Sequence, residues 1–165
     1  MTEPVFVRIL KKISDRITSI NVANGYHLDL GGSVQIEGLG PVDLDNDGQP
    51  LPGNVAIEPG AASSSVGEGE SDNQVRMRTV PMEALYERSP RIIMAIPIDA
   101  DKVDTWLLIA EQAGEDLRKA IYADEHEWID LNVTRLAQSE LQAQRPTAGS
   151  RVLMVAVTFT IRYHS

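Results

Sequence analysis

The run Asp43-Leu-Asp45-Asn-Asp47-Gly48 has the residue types of a calcium loop, with acids at positions one, three and five and a glycine where the chain turns. A complete loop needs a bidentate carboxylate at position twelve, where Asn54 stands, and position eight is Pro50. Aspartate and asparagine also close turns on their own backbone, so a plain surface loop is expected and no metal ligand is assigned. Gly31-Gly-Ser33-Val-Gln35 begins like a nucleophile elbow, but Gln35 replaces the last glycine and a strand, not a helix, follows. Gly67-Glu-Gly69 lacks the third glycine of a dinucleotide fingerprint. His27, His126 and His164 are scattered, with no acid or ligand partner at a recognisable spacing. Asn132-Val-Thr134 matches a glycosylation acceptor but falls inside an expected strand. Arg76 and Arg78 share one strand face and can grip a carboxylate or phosphate, although an exposed face needs polar residues in any case. Trp106 and Trp128 sit on or beside apolar faces and are expected in the core. Catalytic, cofactor and metal residues are therefore expected to be absent.

Charge is unevenly placed. The 165 residues carry 15 basic and 24 acidic side chains, a net charge of −9. No lysine or arginine occurs between Arg16 and Arg76, where Asp29, Glu37, Asp43, Asp45, Asp47, Glu58, Glu68, Glu70 and Asp72 all lie. Ten of the 12 glycines fall between Gly25 and Gly69. No basic patch of the kind that nucleic-acid binding needs is visible. Cysteine is absent, which excludes disulfides, zinc ribbons and thiol catalysis. No apolar run approaches the ~20 residues that span a bilayer, and the N-terminus does not read as a signal peptide.

Elements that would position these residues follow from periodicity. Val5, Phe6, Ile9, Leu10, Ile13, Ile17 and Ile20 predict a helix over Glu3–Asn21, with Arg8, Lys11, Lys12, Asp15 and Arg16 wet. Tyr26–Leu30 and Ser33–Glu37 read as a hairpin turning at Gly31-Gly32. Gly38–Pro52 reads as loop, Asn54–Glu58 as a short strand, and Ala61–Asn73 as mobile for want of apolar anchors. Gln74–Tyr86 and Arg91–Asp99 read as strands, with Pro81 and Pro97 suggesting bulges or edges. A second helix is expected over Lys102–Tyr122, burying Val103, Trp106, Leu107, Ala110, Ala113, Leu117 and Ile121. Glu127–Leu136 is read as a strand with Ile129, Leu131 and Val133 inward, Gln138–Ser150 as a loop, and Arg151–Tyr163 as the strongest strand. The order predicts one α+β domain over 1–165: a mostly antiparallel mixed sheet, two helices packed on one face, and a mobile acidic insertion at about 40–73.

The stretch Ile20-Asn-Val-Ala-Asn24-Gly25-Tyr26, entered from a basic amphipathic helix and followed by Asp29, Gly31-Gly-Ser-Val34 and Gly38, resembles the opening of the tail terminator (tail-completion) proteins of long-tailed bacteriophages. The later order agrees, with a strand pair, a helix ending Asp116-Leu-Arg-Lys-Ala-Ile121, and two closing strands. The segment Gly40–Asn73 is expanded relative to that pattern. The resemblance implies a non-enzymatic virion subunit, made in the bacterial host cytoplasm and located in the virion tail. It would form a homohexameric ring on the tail tube protein, stop polymerisation and offer a surface to the head-completion or connector protein. DNA would pass through without specific binding, with no membrane involved. Tyr26, Asp29, Val34, Arg76 and Arg78 are then candidates for subunit or tube contacts. Asp43, Asp45, Asp47, Glu68 and Glu70 either face the channel or only keep their loops soluble. The alternatives are a small metal-dependent hydrolase using Asp29 or the Asp43–Asp47 cluster, and a generic adaptor domain.

Overall fold

The computed structural model describes residues 2–64 and 85–164. Glu68, Glu70, Arg76 and Arg78 lie outside them, as do nearly all of the strand expected at Gln74–Tyr86 and most of the segment expected to be mobile. Among the described residues, three helices, α1 (Val5–Thr18), α2 (Trp106–Tyr122) and α3 (Glu125–Asp130), accompany a seven-stranded mixed sheet. Its strands are β1 (Val34–Ile36), β2 (Val55–Glu58), β3 (Ala62–Ser64), β4 (Leu85–Arg88), β5 (Arg91–Pro97), β6 (Val133–Gln144) and β7 (Val152–His164). The α+β class with two main helices on one sheet face holds.

β7 is the hub. One side pairs antiparallel with β5 and, further along, with β4; the other pairs with β6 over nearly its full length. β2 extends the sheet beyond β5, parallel β1 closes that end, and β3 pairs β4. Alternate residues of β7 (Leu153, Val155, Val157, Phe159, Ile161 and Tyr163) point into the core with Ile92, Met94 and Ile96 of β5. Against them lie Phe6, Ile9, Leu10, Ile13 and Ile17 of α1 and Ala110, Ala113, Leu117 and Ile121 of α2, as the helical spacing predicts. Gly114 brings α2 close to β6, since a Cβ there would sit 2.4 Å from Leu141 Cδ1.

Several expectations are corrected. α1 stops at Thr18, where the Thr18 hydroxyl donates back to the Ser14 carbonyl and both the N–H and the hydroxyl of Ser19 donate to the Arg16 carbonyl. Tyr26–Leu30 is not a strand, and no hairpin turns at Gly31-Gly32: β1 pairs with β2 instead. Gly31 is there for approach, because a Cβ would lie 2.3 Å from the Thr18 carbonyl oxygen. Ala62–Ser64, inside the stretch expected to be mobile, is a strand. The second helix starts as a 3-10 turn over Ala100–Thr105, and Leu107, at the edge of the stripe set by Ala110, Ala113 and Leu117, is 56% exposed. Of Glu127–Leu136, expected as one strand, the first six residues are the end of helix α3 and a turn, and only Val133–Leu136, with Val133 inward as expected, is strand. Trp128 and Leu131, three apart, face inward and Ile129 is 54% exposed. Asn132 then takes a left-handed conformation (φ 63°) that redirects the chain into β6. β6 continues to Gln144 through the expected loop, and irregularities at Thr134 and Ser139 shift its inward set from Leu136 to Leu141 and Ala143, which hides the alternation. Arg16, expected on the wet face, is largely covered, as described next.

Candidate functional site

The turn that carries the Asn-Gly-Tyr motif is built from its own side chains and then pinned to α2. The Asn21 side chain accepts from Asn24 N at 2.8 Å, and Asn24 Nδ2 donates to the Ser19 carbonyl at 2.8 Å. Gly25 takes the left-handed conformation (φ 90°) that ends this 3-10 turn. Asp29 Oδ1 accepts from Val22 N at 2.7 Å, closing the turn on its other side. Asp116, on α2 and only 1% exposed, accepts from His27 N at 3.0 Å and Leu28 N at 2.9 Å, one bond to each carboxylate oxygen. Lys119, one helical turn on, donates to the Gly25 carbonyl at 3.1 Å and lies 4.8 Å from the centre of the Tyr26 ring. His27 Nε2 is 3.2 Å from the Glu115 carboxylate. Tyr26 and Asp29 thus share one pinned turn, while Val34 lies apart on β1, half-buried against the core. Sequence reasoning missed Asp116 and Lys119 as the pins; the available signal was an aspartate flanked by the apolar stripe of an amphipathic helix.

A second pin joins α1 to the C-terminal end of α2 and to α3. The Arg16 guanidinium donates to the Ala120 carbonyl at 3.1 Å, to the Ala123 carbonyl and to Glu127 at 2.9 Å, and lies over the Trp128 ring. Cations are favourable at helix C-termini, where carbonyls have no intrahelical partner. Lys12 also reaches Glu127 at 2.9 Å, and the hydrogen bonds from Lys12 and Arg16 hold the Glu127 carboxyl below its ordinary value of 4.5. Trp128 Nε1 donates to the Ile121 carbonyl at 2.7 Å.

The acidic run forms a small hairpin, Asp43 to Leu51. Asp45 Oδ1 accepts from Asp47 N and Gln49 N, both at 2.9 Å, and Gly48 (φ 76°) makes the bend. Asp43 exchanges two hydrogen bonds with the Gln35 side chain, at 2.9 and 3.0 Å, tying the hairpin to β1. Pro50 is buried, and Asp47 and Gln49 share a groove of about 300 Å3 with Arg91, Ile93, Met154 and Gln142 on the sheet face opposite the helices. Among the described residues, no three histidine, aspartate or glutamate side chains converge as a metal site.

Among the described residues, the β6 side of the sheet is an open edge. Gln138 N points away from β7 and donates to Tyr122 Oη at 2.7 Å. The antiparallel register places the amides of Leu136, Leu141 and Ala143 on that same outer side, where no strand pairs among the described residues. Beside it, Tyr122, Trp128, Ile129, Val133 and Leu136 line a groove of about 560 Å3. Arg135 and Arg145 are exposed along β6 and just beyond it, and Arg151 is exposed just before β7. These arginines were not singled out from sequence, because the strand that presents them was read partly as loop. No protein-family model matches the chain, and no curated protein matches it significantly.

Proposed function

We propose that this chain is a tail-terminator-type subunit: copies of it close the end of a phage tail tube as a ring, stop tube growth and present the surface to which the head connector docks. The observation that carries this reading is the pinned turn. Ile20–Gly38, the stretch in which the sequence resembles terminators, bonds directly to the distant helix that agrees with them in element order, through Asp116 to His27 and Leu28 and through Lys119 to Gly25. The open, mixed sheet supports the same reading, since a ring needs two different free surfaces per subunit. Of the carboxylates in the hydrolase alternative, Asp29 and Asp45 accept from backbone N–H groups and Asp43 from the Gln35 side chain, which favours assembly.

Removing the gene during phage growth tests the proposal. Tail tubes should overrun their normal length or fail to join filled heads, and the wild-type chain supplied from a plasmid should restore both. Tails of normal length joined to heads in its absence overturn the assignment.

A further inference from the structure

The sheet is electrically lopsided. Residues 17–58 supply β1, β2 and the acidic hairpin and contain six acids and no lysine or arginine. Residues 133–164 supply β6 and β7 and contain Arg135, Arg145, Arg151 and Arg162 against Glu140 alone. Internal pairing uses little of this: Glu58 is taken by Arg91 at 3.7 Å and Arg162 by Glu87 at 2.6 Å. Arg135, Arg145 and Arg151 make no ion pair among the described residues, and Glu37 is exposed at the other end, just after β1.

We infer that the ring contact is head to tail, with the arginine-bearing β6 edge of one copy receiving the acidic β1 end of the next. This rests on the ring reading above. A two-fold contact of β6 with β6 would oppose arginine-rich surfaces, and one between acidic ends would oppose carboxylates; only the heterologous arrangement joins opposite signs. Each end also offers apolar area for such a contact: Tyr122 and Ile129 beside β6, and Leu39, Leu44 and Leu51 on and around the acidic hairpin, all at least 40% exposed. The outward amides of Leu136, Leu141 and Ala143 add hydrogen-bonding groups that an incoming segment satisfies. The acidic surface beside β1 is then a recognition element for a second copy of this chain.

Two charge-reversed chains test this, neither altering the residues that pin the turn. One carries Arg135→Glu with Arg145→Glu, the other Glu37→Arg. In sedimentation at low salt the wild-type chain should self-associate, each variant alone should associate at least about tenfold more weakly, and added salt should weaken the wild type. An equimolar mixture of the variants should recover association, because intact ends meet intact ends and reversed ends meet reversed ends. Loss in the arginine variant alone, or no recovery on mixing, overturns the proposal. Should the free chain stay monomeric, cysteines answer the question, since the chain has none of its own. Glu37→Cys and Arg135→Cys chains, oxidised together, should give the mixed disulfide in excess of both homodimers, and a statistical distribution overturns the contact. Phage complementation separates the two ideas: rescue by wild type without the mixed disulfide keeps the cap and discards this interface.

Discussion

Asp116 shows how one buried side chain can set the position of a whole loop. Its two oxygens take the N–H groups of His27 and Leu28, which otherwise would face the side of α2 without partners. Asp116→Ala removes two charge-assisted bonds at a site with almost no solvent, so a loss of about 2–4 kcal/mol is expected in urea unfolding. Asp116→Asn keeps one acceptor oxygen and should lose clearly less; equal losses would mean that helix packing, not the bonds, is disturbed. Glu127 makes a pH prediction. Because its carboxyl is held below 4.5 when folded, its contribution is fully present above that pH and fades as pH falls through the lowered folded value. Glu127→Gln should therefore flatten the acid limb of the stability curve without changing its shape near neutrality. A variant with the same acid limb as wild type would show that the Lys12 and Arg16 contacts are not maintained in solution.

At the scale of elements, the close approach of the Gly31 segment to the end of α1 makes adjacent glycines unequal. A methyl group at position 31 meets the Thr18 carbonyl, whereas one at position 32 meets nothing within 4 Å. Gly31→Ala should cost about 2 kcal/mol or more and Gly32→Ala less than about 0.5, as thermal unfolding of the pair will show. The same contrast explains what could be read in advance. α1, α2 and β7 were legible because long apolar stripes repeat there at one period, and Val155, Val157 and Phe159 alternate without interruption. The Gly31-Gly32 pair misled because its sequence is that of a turn, while its use is a tertiary approach that no local pattern records. α3 was hidden because Ile129, Leu131 and Val133 alternate as in a strand, although the first is exposed and the others flank a left-handed turn at Asn132. β6 was cut short because its irregular positions break the alternation and its outer face needs only polar residues. In the pinned turn, Asp29 was noticed by position, but its bond to Val22 and the reach of Asp116 across the fold depend on long-range geometry.

Over the whole molecule, the arrangement of β7 has a consequence for how the chain is made. Every large piece of the sheet is joined through this one segment: β1, β2 and β5 form one group, β3 and β4 a second, and β6 a third. All of β7's partners precede it in the chain, so during synthesis they leave the ribosome before the strand that unites them. Until residues 152–164 emerge, the apolar faces of α1 and β5 have no sheet to close over them, and the final pairing joins segments as distant as Tyr86 and Tyr163. Such non-local closure makes for slow folding and a window in which unpaired strands are open to holdase chaperones. A nascent chain is thereby kept from acquiring its finished sheet edges until β7 has emerged.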